Sequence, residues 1–255
     1  MKILACYKCV PEEQDITVNS DKTLNFKTAE HKIGAYDLNA IEAAVKLAEA
    51  GGEVAVLTAG AAEIVDNSKL KKAVLSRGPA AMYGIADAAL PAALDSYSVA
   101  KLLKAGVDKI GGVDLVLCGE GSGDMYAQQV GVILGGLLGW NTLNGISAIS
   151  ANGNTLTVER TVEDGVEVLE VDLPAVISVT SDINTPRIAG MKDILAAGKK
   201  PTTVWKLDEL GLDASGKTET ISILAPEQAE RKQIIIGGDS DAEIEELFGH
   251  IRKLV

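Results

Sequence analysis

Aromatic residues make up only 4% of this 255-residue chain, which also holds just two histidines and three cysteines. With so few rings the core has to be built from Val, Ile, Leu and Ala, which suits a parallel sheet flanked by Ala-rich helices. Three cysteines (Cys6, Cys9 and Cys118) cannot supply a disulfide framework. Positive charge is the minority: 24 Lys+Arg against 36 Asp+Glu give a formal charge of −12. Without a dense Lys/Arg stripe to displace counterions, a nucleic-acid partner is not expected. No apolar run is long enough for a bilayer span, and Met1-Lys2-Ile3-Leu4 leads straight into a strand pattern rather than a signal peptide. The expectation is a cytoplasmic protein with no membrane insertion. A Walker loop is missing, and G-x-G-x-x-G does not follow the first strand. His31 and His250 stand alone, so no catalytic residue of the Ser/His or Cys/His kind is expected. Cys6 and Cys9 have C-x-x-C spacing, but positions three apart on a strand face opposite ways, and zinc would need a second ligand pair. No metal site is expected.

What is present is a strand–helix rhythm. Lys2 to Tyr7 reads as a buried strand, followed by a polar excursion to about residue 35 with a short hairpin around Ser20-Asp21. Asp37 stands as an N-cap before the Ala-rich helix Leu38 to Leu47, which Gly51-Gly52 ends. Glu53 to Leu57 is the second strand, leaving into Thr58-Ala59-Gly60. A broken helical stretch then runs to Pro79, Met82 to Ile85 forms a shorter strand, and a helix capped by Asp95 or Ser96 extends to Ile110. Asp114 to Cys118 is a strongly apolar strand, and its exit loop precedes a helix of about Tyr126 to Leu138. Such alternation implies right-handed crossovers and a doubly wound, mostly parallel α/β sheet. After Trp140 the pattern changes to alternating segments punctuated by Asn152-Gly153-Asn154 and Glu163-Asp164-Gly165. This reads as an antiparallel hairpin insert, about residues 144–172, before a final apolar strand Ala175 to Val179. Residues 1–200 are then an α/β nucleotide-binding domain, and 201–255 a C-terminal arm ending in the helix Ala242 to Leu254.

The loop from Gly119 to Gly131 is the most informative local feature. In an open parallel sheet, ligands sit where exit loops and helix N-termini present free N–H groups. Gly119, Gly121 and Gly123 let the backbone approach a phosphate or ribose closely. Asp124 would cap the following helix, placing Gln128 and Gln129 on its first turn. The loop has no Lys and carries Glu120 and Asp124, which suits one phosphate held by N–H groups rather than a triphosphate. The exits at Cys6 to Lys8 and Thr58 to Gly60 are expected on the same crevice.

The segment from Val158-Glu159-Arg160-Thr161 through Glu163-Asp164-Gly165 and Glu170-Val171-Asp172-Leu173-Pro174 to Ala175-Val176-Ile177-Ser178 resembles the signature of electron transfer flavoprotein β subunits. The resemblance covers nearly the whole chain. It is closest to the bacterial branch associated with acyl-CoA and carnitine-type metabolism, through Val10-Pro11-Glu12-Glu13-Gln14-Asp15 and Gly119-Glu120-Gly121-Ser122-Gly123-Asp124.

The resemblance implies an adenine nucleotide α hydrolase-like fold and an αβ heterodimer. An α subunit would hold the redox-active FAD, bordered by this chain, with AMP buried here as a structural ligand. In bifurcating members a second FAD replaces that AMP and takes electrons from NADH. Alone, such a chain is an electron-carrier subunit rather than an enzyme, working between an acyl-CoA-type dehydrogenase and a downstream acceptor. By position, the resemblance puts Cys6 and Lys8 beside the nucleotide, with Gly34, Ala35, Tyr36 and Asp37 on its adenosine side and Ala59 at the second exit. Gly119, Glu120, Gly121, Ser122, Gly123, Asp124, Gln128, Gln129 and Val130 fall on the phosphate loop. Three positions depart from the pattern: Gly34-Ala35 replaces an Asn-Pro pair, and Val130 replaces a Thr. The segment Pro186 to Lys192 resembles the loop that docks a partner dehydrogenase, with Arg187 in it and Met191 at the anchor position. An adenylate-forming enzyme on a related fold would need a Ser-Gly-Gly-x-Asp-Ser loop where Lys8-Cys9-Val10-Pro11 stands.

Overall fold

The computed structural model describes residues 1–90, 94–213, 216–218, 220–227 and 233–253. In chain order the strands are β1 (Lys2–Cys6), β2 (Cys9–Pro11), β3 (Thr17–Val18), β4 (Leu24–Asn25), β5 (His31–Ile33), β6 (Glu53–Ala61) and β7 (Ala81–Asp87). They continue with β8 (Leu115–Gly119), β9 (Asn141–Asn152), β10 (Thr155–Val162), β11 (Gly165–Asp172), β12 (Ala175–Val179) and β13 (Thr202–Trp205). The helices are α1 (Ala35–Ala48), α2 (Ala62–Val65), α3 (Ser68–Leu75), α4 (Ser96–Ile110), α5 (Val130–Leu138), α6 (Met191–Ala197) and α7 (Asp241–Ile251).

Nine strands form one sheet in the order β11-β10-β9-β12-β8-β1-β6-β7-β13. The chain builds outward from β1 through β6 to β7, then returns to place β8 on the other side of β1. That reversal puts a topological switch point between β1 and β8, where an open α/β sheet leaves a crevice beyond its carboxyl ends. The doubly wound α/β arrangement expected from the sequence is therefore present.

Burial on both faces explains the near-continuous apolar runs of the inner strands. Ile3, Ala5, Val54, Val56, Leu115, Leu117, Ala175 and Ile177 pack in one cluster with Ala40, Ile41 and Ala44 of α1. Leu4, Cys6, Leu57, Val116, Cys118 and Val176 fill the other with Leu102, Leu103 and Leu134 of α4 and α5. Each fully buried aliphatic side chain contributes about 1.5–3 kcal/mol relative to exposure. Helix α5 lies unusually close to the sheet. A Cβ at Gly131 would meet the Ser178 hydroxyl at 2.2 Å, and one at Gly135 the Thr142 hydroxyl at 1.9 Å. Nothing larger than hydrogen fits there.

Several boundaries differ from the sequence reading. Asp37 is not an N-cap: α1 starts earlier, with Gly34 at the cap and Asp37 in its first turn. Strand β6 runs on past Leu57, because Thr58, Ala59 and Gly60 pair with β7, so Ala59 is within a strand rather than at its exit. Helix α5 begins at Val130, not Tyr126, since Tyr126 (φ 43°) and Gln128 (φ 55°) are left-handed and break a helical path. The alternating segments form the expected antiparallel hairpins, and these extend the main sheet. One side of β9 pairs parallel with β12 and the other antiparallel with β10. The sheet thus continues into two antiparallel strands and ends at β11 as an edge. Ala175 to Val179 is not the last strand either, because β13, assigned above to the arm, pairs with β7. The Trp205 ring stacks on Tyr83 with centroids 5.4 Å apart.

Beyond β13 several described residues of the arm are bonded back to the body. The Asp95 carboxylate caps α4 and also accepts the Lys217 N–H at 2.9 Å. Further on, Leu224 bridges Thr23 and the Ala225 N–H donates to the Lys22 carbonyl at 2.9 Å. The final helix, α7, has no buried residue. Its expected last residue, Leu254, lies outside the described residues. No helix among the described residues is long and apolar enough to cross a membrane.

Candidate functional site

At the switch point, β1 and β8 run side by side with Ala5 level with Leu117. The next residues, Cys6 and Cys118, are both buried and both free thiols. The Cys118 thiol beside it, then burial, push the Cys6 thiol well above its ordinary range. It is a small apolar floor rather than a nucleophile.

The chain leaving β1 is tied to the start of α1. The short pair β2 and β5 sets Cys9 opposite Ile33, and the Gly34 N–H donates to the Lys8 carbonyl at 2.9 Å. Asp37 then closes the arrangement. Its buried carboxylate accepts the Lys8 N–H at 2.8 Å through Oδ2. Its Oδ1 lies against Gly119, where a Cβ would sit 2.7 Å from it. Burial pushes the Asp37 carboxyl up to about 7, outweighing the N–H groups of Lys8 and Gly119 that favour the ionised form. The Lys8 ammonium reaches across to the loop after β8, pairing with both Asp124 oxygens at 2.6 and 2.8 Å. Burial raises the Asp124 carboxyl, but hydrogen bonds from Lys8 and Ser122 outweigh it and hold it below the usual range.

The exit loop is shaped by the chain's own aromatics. A Cβ on Gly121 would meet the Tyr126 ring at 2.6 Å, and the Tyr36 and Tyr126 rings lie 5.3 Å apart. Gly119 and Gly121 are thus required by Tyr36, Asp37 and Tyr126, while Gly123 has open space around it. Asp124 does not cap α5: it pairs with Lys8 and accepts the Met125 N–H at 2.9 Å. Gln128 and Gln129 precede α5 instead of occupying its first turn, and both are exposed. Gln129 sits at the cap position without making a side-chain cap, which leaves the first-turn N–H groups of α5 without a side-chain acceptor.

Lys8, Gly34, Asp37, Gly119 and Asp124 are thus linked to one another beside Cys6, with Tyr36 against Gly119. Ala59 lies two residues past Leu57, the β6 residue level with Cys6. The donors available, one ammonium and the uncapped start of α5, fit a single phosphate, and the neighbouring carboxylates disfavour a polyphosphate.

Arg187 and Met191 lie elsewhere, beyond β12. The Arg187 guanidinium folds inward onto Glu42, whereas Ile188 and Met191 are 95% and 74% exposed. A cavity of about 130 Å³ lies behind this loop, lined by Ser76, Gly78, Arg187, Asp193 and Lys200 among others. Sequence reasoning missed Tyr126 and Glu42. An aromatic inside a glycine loop of a ring-poor chain was the available signal for the first; a glutamate on the inward face of α1 was the signal for the second.

A family model described as the electron transfer flavoprotein domain matches residues 23–210. That span runs from the turn of the β3–β4 hairpin, through β8 on one side of the switch point, to the residues after β13, while β1 on its other side precedes it. Members of the family carry electrons with bound flavin, in partnership with another flavoprotein subunit and with dehydrogenases. With the greater part of its length matched, this chain belongs to the electron transfer flavoprotein domain family.

Proposed function

We propose that the chain is the β-type subunit of a heterodimeric electron transfer flavoprotein. It holds an adenine nucleotide, AMP or a second FAD, in the switch-point crevice and borders the FAD of an α-type subunit. It serves electron transfer from an acyl-CoA-type dehydrogenase to a downstream acceptor and performs no chemistry of its own. The observation that carries this reading is Asp37, which ties the end of β1 at Lys8 to the glycine loop at Gly119 beside the switch point. The resemblance of Val158 to Ser178 to β subunits supports the subunit assignment. Helix α7 supports the heterodimer: Ile244, Leu247, Phe248 and Ile251 fall at helical spacing and are 47–56% exposed. The loop carrying Ile188 and Met191 is the proposed contact for the dehydrogenase, with Met191 as a flexible anchor.

Co-expression with the α-type subunit tests the assignment. The expected product is a yellow heterodimer that releases one FAD and one AMP on denaturation. Two FAD and bleaching by NADH would assign the bifurcating form. A colourless chain that ignores both flavin and the second subunit would overturn the reading.

A further inference from the structure

Helix α1 buries two polar side chains one turn apart, Asn39 at 6% and Glu42 at 4% exposure. A buried polar group costs stability unless it is bonded, and a buried charge costs more. Both spend their bonds on one distant segment. Asn39 donates to the carbonyls of Ser181 and Asn184. Glu42 takes three bonds of 2.7 to 3.1 Å from the backbone and side chain of Arg187. The proposed nucleotide site gives neither residue a task.

The segment they hold has little else to hold it. No residue from 184 to 196 is buried, and the first that is, Ala197, ends α6. Behind Ile188 and Ala189 lies the cavity of about 130 Å³, where packed side chains would otherwise support the loop. Among the described residues, the polar groups on its walls are engaged elsewhere. Lys200 donates to the carbonyls of Leu75 and Pro79, and the Ser76 hydroxyl to that of Ala73. Asp193 accepts the Gly190 N–H, a bond within the loop and α6. The stretch carrying Ile188 and Met191 is thus pinned at two points, α1 before it and Ala197 after it. Ile188 follows Arg187 directly, so its direction depends on the first pin.

Resting on the reading of this loop as the dehydrogenase contact, we infer that Glu42 is a positioning residue for docking. Through Arg187 it holds Ile188 and Met191 where an apolar surface of the partner receives them, although Glu42 itself is buried and touches no partner. Without the fork, the loop samples other paths over the cavity and only a fraction of molecules is ready to dock. Apparent affinity falls by that fraction, while the rate from the docked complex is unchanged.

The test uses the heterodimer with the α-type subunit as electron acceptor. An acyl-CoA dehydrogenase with its acyl-CoA substrate is the donor, and bleaching of the FAD is the readout. In Glu42→Gln the KM for the flavoprotein is expected to rise about 10-fold, with kcat within about 2-fold of wild type. Hydrogen exchange read by mass spectrometry should quicken at least about 10-fold in residues 184–190 and stay unchanged in β1 and β8. Arg187→Lys keeps a charge but not the fork. It should shift KM and loop exchange the same way, and it decides alone if Glu42→Gln does not fold. An unchanged KM, a loss confined to kcat, unchanged loop exchange, or exchange that quickens equally across the sheet overturns the positioning role. Met191→Ala tests the premise and should raise KM while leaving loop exchange as in wild type. If the dehydrogenase does not reduce the wild-type heterodimer, or Met191→Ala leaves KM unchanged, the docking reading itself falls and this inference with it.

Discussion

Arg187 forks the carboxylate of Glu42 across 145 residues of chain, donating from Nε at 2.7 Å and Nη2 at 3.1 Å. The Arg187 N–H adds a third bond at 3.1 Å. Glu42 sits on the inward side of α1 and is 4% exposed. Nearby, the Asn39 side-chain amide donates to the carbonyls of Ser181 and Asn184, and the Asn184 amide returns a bond to the Asn39 carbonyl. The loop that exposes Ile188 and Met191 is therefore anchored to α1, the same helix whose first turn carries Asp37.

Removing the guanidinium leaves the buried Glu42 carboxylate with the backbone N–H of position 187 and the Lys46 ammonium 3.9 Å away. Arg187→Met is expected to cost about 1–3 kcal/mol in urea denaturation at pH 7. Burial raises the Glu42 carboxyl, but the bonds from Arg187 outweigh it and hold it below the usual range. A depressed folded pKa stabilises above the unfolded value near 4.5 and loses that contribution as pH falls through the folded one. The gap between wild type and Arg187→Met should accordingly narrow from pH 6 to pH 3; a constant gap would refute the pairing as its source.

Lys8→Met separates the ion pair's structural part from its binding part. The Lys8 side chain is 46% exposed, so loss of its pair with Asp124 should change unfolding stability by less than about 1 kcal/mol. A charged hydrogen bond to phosphate is worth about 1.5–3 kcal/mol. AMP affinity, read by equilibrium dialysis, should therefore fall about 10- to 100-fold. Equal AMP affinity in the two proteins would remove Lys8 from the site.

Asp37 leaves its own trace on the stability of the nucleotide-free protein. The native carboxyl keeps its proton up to about pH 7, while the unfolded one loses it near 3.8. Between those limits the native state binds more protons, so this group's contribution falls as pH rises, by up to about 1.4 kcal/mol per pH unit. Other carboxylates run the opposite way, so the diagnostic quantity is the difference from Asp37→Asn. Denaturation midpoints from pH 4 to pH 8 should show the variant gaining on wild type as pH rises. A flat difference would show that the carboxyl does not change ionisation on folding.

The unpartnered stripe of α7 predicts a defect in assembly without a defect in folding. Leu247→Glu combined with Phe248→Glu should leave the thermal midpoint of the isolated chain within about 2 °C, since no α7 residue is buried. The same pair of substitutions should abolish co-purification with the α-type subunit. Retention of a stoichiometric complex would place the subunit contact elsewhere.

Much of this fold was legible in the chain because local chemistry and tertiary structure agree. Asp95 caps α4 as its position suggests, and the turns at Gly153 and Gly165 adopt positive φ between the alternating strands. What escaped was set by distant partners. Asp37 looks like a cap, but Lys8 and Gly119 claim its oxygens and the helix starts three residues sooner. The stretch before Val130 has helical spacing, yet Tyr126 turns back over Gly121 at the cost of a left-handed backbone. Thr202 to Trp205 is too short to announce a strand, and only the open side of β7 makes it one. That the glycine loop after β8 lies beside the end of β1 was readable from the strand–helix rhythm. The reason for its glycines was not, because Tyr36 and Tyr126 lie 90 residues apart in sequence.

Among the described residues, the border strand β11 has a strand partner on one side only, β10, and so presents a row of amide and carbonyl groups to its surroundings. Its exposed Val166 and Val168 would invite a second copy to zip alongside. Glu167, Glu170 and Asp172 on that strand, with Glu163 and Asp164 in the preceding turn, make two such borders repel one another. The acidity of this margin thus opposes its polymerising, and any strand that adds there has to bring compensating lysines or arginines.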